Sequence, residues 1–208
     1  MNNILVINSS VSGEASVSQL LVRSAVQRVL EVNPSAMVTY RDLSDAPVPH
    51  LTAYTVAGVR GMPETQAELA AQALSNELID ELKAADVVLI GAPMYNFSIP
   101  SSLRAWFDHV LRPRVTFAYS KAGVQGLLKG IRVIVIESRG GLYSEGPTKE
   151  MDFQEPYLKT LLGFIGITDV TFVHAEKIGS GPEARELAIE TAKARLEEVI
   201  IDSEQLVI

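Results

Sequence analysis

Four short stretches of the chain are near-continuously apolar and rich in Val and Ile: Ile4 to Ile7, Val87 to Ala92, Val133 to Ile136, and Val170 to Val173. Such runs lack the alternation of a half-exposed strand and predict parallel strands buried on both faces. A fifth, Val38 to Arg41, is weaker and predicts an edge strand. Between these runs the apolar positions recur at helical spacing. Leu20, Leu21, Ala25, Val29 and Leu30 share one stripe of a helix that Asn33-Pro34 ends. A second helix is predicted from about Pro63 to Ala84, with Leu69, Ala73, Leu78, Ile79 and Leu82 facing inward. A third covers Ser101 to Leu111, stopped by Pro113, and two more lie around Pro156 to Ile165 and from Glu183 to about Ile200.

Strand and helix in alternation predict an α/β fold, with one parallel sheet covered by helices on both faces through right-handed crossovers. The length of 208 residues allows one sizeable core, so residues 1–208 read as a single domain. Two stretches show no periodicity. Asp45 to Met62, with its prolines and glycines, reads as a loop long enough to be functional. Ala118 to Gly130, with glycines at 123, 126 and 130, reads as another.

Composition narrows the chemistry. The chain is 47% hydrophobic and 21% charged, an ordinary globular mixture, and its formal charge of -7 argues against gripping nucleic acid or an anionic membrane. With no cysteine, disulfides, thiolate nucleophiles and iron–sulfur ligation are excluded, so redox chemistry would need a bound cofactor. His50, His109 and His174 lie far apart and each reads as a surface or packing residue rather than a metal ligand. The N-terminus has no basic region or cleavage site, and no apolar run approaches the roughly 20 residues of a membrane span. A soluble, cytoplasmic protein is expected.

In open parallel sheets, ligands bind beyond the carboxyl ends of the strands, where the strand order reverses. After the first strand come Ser9, Ser10, Ser12, Gly13, Ser16, Val17 and Ser18, leading into a helix. Hydroxyls, unpaired N–H groups and the helix dipole all favour an anion there. A plain helix cap at Ser16 or Ser18 needs one hydroxyl rather than five. The loop lacks both GxGxxG and GxxxxGK[ST], which speaks against dinucleotide-fingerprint and P-loop proteins. It suits a terminal monophosphate, as in a mononucleotide such as FMN. After the third strand, Met94-Tyr95-Asn96-Phe97 can lie against a flat ring, though Tyr95 and Phe97 fit equally as packing at the sheet end. After the fourth, Ser138-Arg139-Gly140-Gly141 permits close backbone approach, and alone would be an ordinary turn.

Together these segments resemble the bacterial FMN-dependent NADH:quinone oxidoreductases, also called azoreductases. The matching residues are Ser9-Ser10 with Ser16-Val17-Ser18, Ala92 to Phe97, Ser138 to Gly141, Val115-Thr116-Phe117 with Tyr119, and Leu162 to Val170. They span nearly the whole chain in order, and Pro93 to Phe97 and Gly163 to Ile167 are the specific signals. The resemblance implies a flavodoxin-like three-layer sandwich with a five-stranded sheet in the order 2-1-3-4-5. It also implies a homodimer with FMN at the subunit interface. By position, Ser10, Ser16, Val17 (through its backbone N–H) and Ser18 would hold the phosphate. Met94, Tyr95, Asn96, Phe97, Ser138, Arg139, Gly140 and Gly141 would hold the isoalloxazine.

The activity implied is two-electron transfer from NADH or NADPH to quinones and azo compounds by a ping-pong mechanism, with no side chain assigned as catalytic acid or base. Phe117, Tyr119 and Phe164 are candidates for a wall above the ring, including from a partner subunit, although each taken singly reads as packing. Trp106 reads as core or interface. The segment Ala53 to Pro63, with Arg60, matches poorly and leaves NADH and NADPH both open. The acidic balance also suits a one-electron flavodoxin-type carrier, but the long loop after the second strand and the aromatic loops do not. A response-regulator domain wants clustered acids after the first strand, and a NAD-dependent dehydrogenase wants its glycine fingerprint.

Overall fold

The computed structural model describes residues 1–121 and 123–205. In chain order its strands are β1 (Asn3–Asn8), β2 (Met37–Asp42), β3 (Val87–Pro93), β4 (Phe117–Ser120), β5 (Gly123–Gly126), β6 (Arg132–Ser138) and β7 (Asp169–Ala175). The helices are α1 (Val17–Val32), α2 (Val56–Arg60), α3 (Gln66–Ala84), α4 (Ser101–Val110), α5 (Glu155–Ile165) and α6 (Pro182–Gln205). Five strands form one parallel sheet in the order β2-β1-β3-β6-β7, while β4 and β5 pair as a separate antiparallel hairpin. The expected order 2-1-3-4-5 therefore describes the main sheet only when its own strands are counted.

Alternate residues of β1 enter two different cores. Leu5 and Ile7 pack with Leu78 and Ile79 of α3, Leu103 and Phe107 of α4, and Leu158 of α5. Ile4 and Val6 pack with Leu21 and Ala25 of α1 and Ala192 and Leu196 of α6. A period of two with both sets apolar is what a sheet covered on both faces requires. Trp106 lies in the first of these cores, edge-on to Phe107. No helix among the described residues is long and apolar enough to cross a membrane.

The helices depart from the sequence expectations in three places. In α3 the inward residues are Ala71, Ser75, Leu78, Ile79 and Leu82, whereas Leu69 and Ala73 are exposed. The stripe turns because Ser75 is buried, its hydroxyl donating to the His109 carbonyl at 2.7 Å. A capping box between Thr65 and Glu68 starts this helix at Gln66, after Pro63 rather than on it. In α1 the buried face also includes Val22 and Val26, with Leu20 and Leu30 on the flank.

Asp45 to Met62 contains α2 rather than only loop. Arg60 donates to the Asp108 and Leu111 carbonyls at the end of α4, and a Cβ on Gly58 would lie 2.1 Å from the Glu68 carbonyl oxygen. Ala118 to Gly130 contains the β4–β5 hairpin, with Ala122 outside the described residues. Gly126 is there because the hairpin touches the end of α5: a Cβ would stand 2.1 Å from the Gly166 nitrogen. In each stretch one glycine, Gly58 or Gly126, marks close backbone packing.

Candidate functional site at the carboxyl edge of the sheet

The sheet order reverses between β1 and β3, so the crevice beyond their carboxyl ends is the favoured ligand position. Ser9 closes the base of that crevice. Its backbone N–H and its hydroxyl both donate to the Gly91 carbonyl, at 3.2 and 2.7 Å. Ser9 is thus a buried strut between the two strands. Gly91 admits α1 close to the sheet, since a Cβ there would meet the Val22 side chain at 3.1 Å.

Above Ser9 the serine-rich loop turns into α1. Ser16 caps the helix by accepting the Gln19 N–H at 3.2 Å, and its hydroxyl lies 3.2 Å from that of Ser18. Both serines are buried. Val17 and Ser18 are the first two helical residues, and N–H groups at that position have no carbonyl within the helix. The Val17 side chain packs into the core beneath, leaving the backbone as its polar group at this end. Ser10, also buried, approaches the Tyr95 hydroxyl at 3.3 Å, and the same hydroxyl accepts the Val11 N–H at 3.2 Å.

Tyr95 links this loop to the next. Tyr95 and Ser98 exchange two backbone hydrogen bonds, 2.9 and 3.1 Å, around a two-residue turn with Asn96 at φ 48° and Phe97 at φ 71°. Asn tolerates that left-handed region; Phe does so only under restraint, at about 1–3 kcal/mol. The restraint is visible. The Phe153 N–H donates to the Phe97 carbonyl at 3.0 Å, and the Tyr143 ring meets Phe97 edge-on with centroids 6.1 Å apart. Met94 then donates to the Ser138 carbonyl at 2.8 Å, bringing in the third loop.

In that loop the carbonyls of Arg139, Gly140 and Gly141 accept from Ile178, Gly179 and Lys177, at 3.2, 3.0 and 2.9 Å. The N–H groups of Gly140 and Gly141 have no acceptor among the described residues. A Cβ on Gly140 would meet nothing within 4 Å. Outward backbone donors beside open space suit the carbonyl edge of a heteroaromatic ring. The hydroxyls and helix start suit a phosphate. This donor set fits FMN.

Arg139 behaves differently from its neighbours. Its backbone N–H donates to the Ala175 carbonyl at 2.9 Å, and its side chain is fully buried. The guanidinium meets Glu137 at 2.6 Å, Asp152 at 3.0 Å and Glu176 at 3.3 Å, with Glu155 at 3.9 Å. His174 adds a second cation, 3.1 Å from Glu137 and 2.8 Å from Glu155. Burial alone would lower the His174 pKa, but its hydrogen bonds to those two carboxylates outweigh it and raise the value to about 9. Burial pushes Glu137 upward against the pull of His174 and Arg139. The His174 hydrogen bond holds Glu155 below the usual carboxylate range. For Glu176 burial acts upward, yet the Ser144 hydroxyl, the Tyr143 N–H and Arg139 together hold it low.

Donor atoms of Glu137, Glu155 and His174 lie within 4.8 Å of one another, a spacing a metal ion could bridge. The protein's own cations, Arg139 and His174, already pair with these carboxylates. Sequence reasoning missed this cluster, including His174, because its members come from segments far apart in the chain.

A cavity of about 770 Å³ is lined by the Tyr95–Ser98 turn together with Arg104, Phe153 and Tyr157. It shares only that turn with the three loops, so volume and donor chemistry do not coincide. Its lining is mixed, with Arg104, Asp152 and Thr160 beside Phe153 and Tyr157. Phe117 packs edge-on to Tyr119 and Phe164, at 5.6 and 4.6 Å between centroids, as a cluster on the hairpin and α5. Tyr119 is its exposed member.

The family model for the flavodoxin-like fold, Flavodoxin_2, matches residues 2–200. An FMN-dependent NADH:quinone oxidoreductase of Hyphomonas neptunium is 62% identical over 199 residues, covering 96% of both chains. The chain belongs to this FMN-dependent NADH:quinone oxidoreductase family. Another member, from Ralstonia nicotianae, is 47% identical over 95% of this chain and 96% of its own. Among solved structures, an FMN-dependent NADH-azoreductase of Bacillus anthracis in complex with FMN superposes with a TM-score of 0.87 at 26% identity, covering 97% of this chain and 99% of that one. The family match agrees with the observed fold.

Proposed function

We propose that the protein is an oxidoreductase that passes two electrons from NADH to quinones and azo compounds through bound FMN. The observation that carries this reading is the linkage of three strand-end loops. Tyr95 joins the serine loop to the aromatic turn, and Met94 joins that turn to Ser138, at the start of the double-glycine loop. Ser10, Ser16, Val17 and Ser18 would hold the phosphate; Met94 to Phe97, Ser138, Gly140 and Gly141 would hold the ring, with Arg139 fixing the loop. FMN, when bound at these residues, would supply the two-electron redox chemistry. The chain supplies position and electrostatics. Backbone N–H groups of Gly140 and Gly141 would stabilise negative charge at the ring edge without a side-chain acid.

Donor and acceptor would use one face of the site in turn, giving ping-pong kinetics. Tyr119, exposed on the hairpin, would help wall that face from a second copy of the chain in a homodimer. Arg60, the only cation in Ala53 to Pro63, is engaged by the end of α4, which supports NADH over NADPH. Heat extraction of the purified protein should release a flavin that chromatographs as FMN. A colourless protein that takes up no FMN at micromolar concentration would end this reading.

A further inference from the structure

We propose that Arg139 and His174 are positioning residues for the cofactor: as the two cations of a buried carboxylate cluster, they hold both ring-binding loops in shape. The proposal rests on the FMN reading above. Its starting point is that both terminal guanidinium nitrogens and the backbone N–H of Arg139 are engaged, although Arg139 sits inside the ring-binding loop.

The cluster reaches the double glycine from one side and the aromatic turn from the other. Glu176, paired to Arg139, accepts the Tyr143 and Ser144 N–H groups at 2.7 and 3.0 Å and the Ser144 hydroxyl at 2.5 Å. Gly140 and Gly141 are thereby held between two fixed points, Arg139 before them and Tyr143 after. Asp152, also paired to Arg139, accepts the Gln154 and Glu155 N–H groups at 2.9 and 3.1 Å. That fixes the strap carrying Phe153, whose N–H restrains the left-handed Phe97. Gln154 completes the tie, donating to the Ala92 carbonyl at 2.8 Å.

Charge explains why two cations are present. Four carboxylates, Glu137, Asp152, Glu155 and Glu176, converge from β6, the strap, α5 and the segment after β7. One guanidinium leaves a surplus of buried negative charge, and His174 at 3.1 and 2.8 Å from Glu137 and Glu155 offsets part of it. Lys159 on α5 is the other cation acting on Glu155. When His174 loses its proton, the carboxylates repel and the strap and the glycine loop loosen together. The phosphate end, built from serines and α1, does not depend on the cluster.

The test is FMN titration of the apoprotein by fluorescence quenching, for wild type, His174→Gln and Arg139→Lys, with the melting temperature recorded alongside. The wild-type dissociation constant should rise about tenfold between pH 7 and pH 10, as the imidazolium titrates. His174→Gln should bind about tenfold more weakly at pH 7 and show no further change up to pH 10. Arg139→Lys keeps the charge but not the fork, and should also bind more weakly at pH 7. A wild-type affinity that stays flat with pH, or a His174→Gln variant that follows the wild-type curve, overturns the proposal and leaves the FMN reading intact. Lower melting temperatures with unchanged FMN affinity overturn it as well. If wild type unfolds before pH 10, the pH 7 comparison decides. Wild type that takes up no FMN at either pH removes both readings.

Discussion

The two ends of the candidate site are built by different physics. At the serine loop the organising contacts are local: Ser16 caps a helix three residues on, and the Ser12 N–H turns back to the Ser10 hydroxyl. Its donors are neutral and belong largely to one helix start. At the double glycine the contacts are long-range and charged. Arg139 reaches Asp152 and Glu176, and the loop's carbonyls are held by residues 177–179. A phosphate carries full charge and needs only donors that any helix start supplies. A ring edge needs donors at fixed angles, which a flexible glycine pair provides only when its surroundings are rigid.

The widest break in the comparison is expected from stability. Arg139→Leu strands four carboxylates around an apolar side chain and should lower unfolding free energy by about 3–5 kcal/mol in denaturant titration. Ser16→Ala removes only a cap, at about 1 kcal/mol. If the two losses were equal, the distinction between the ends would fail.

Next in size, Ser16→Asp separates capping from phosphate binding. Aspartate caps as well as serine, so the melting temperature should hold, while its charge should weaken FMN binding about 100-fold. Unaltered FMN affinity in that variant would leave Ser16 a cap and nothing more.

A third difference concerns pH. His174 has a folded-state pKa of about 9, above the ordinary 6.5. Its contribution is therefore fully present below the ordinary value and is lost as pH rises through the folded one. Wild type should lose on the order of 2 kcal/mol between pH 7 and pH 10. His174→Gln should lose much less, and Ser16→Ala should track wild type. The smallest effect is local. In Gly141→Val the new Cβ would stand 3.1 Å from the Tyr143 ring, a side chain able to shift, so FMN affinity should fall by about tenfold with the fold retained.

The same contrast explains what the sequence disclosed. Four of the five main-sheet strands were legible because each is a near-continuous apolar run, β2 only weakly because Thr39, Arg41 and Asp42 interrupt it, and the serine loop because its signals sit within ten residues of a helix start. The hairpin was not, because Gly123 and Gly126 read as loop punctuation while Gly126 serves close contact with Gly166. The inward stripe of α3 was misplaced because a buried serine, Ser75, outranked two apolar residues once it found the His109 carbonyl. His174 looked like an isolated histidine because Glu137 and Glu155 lie 37 and 19 residues away in the chain. Charge pairing over such separations leaves no periodic trace.

The account stands or falls on whether this chain alone relays electrons. Purified protein supplied with FMN and NADH should reduce benzoquinone through many turnovers with no added reductase, giving parallel lines in double-reciprocal plots as quinone is varied. NADH oxidation that stops after one equivalent of bound flavin, or none at all, would contradict it.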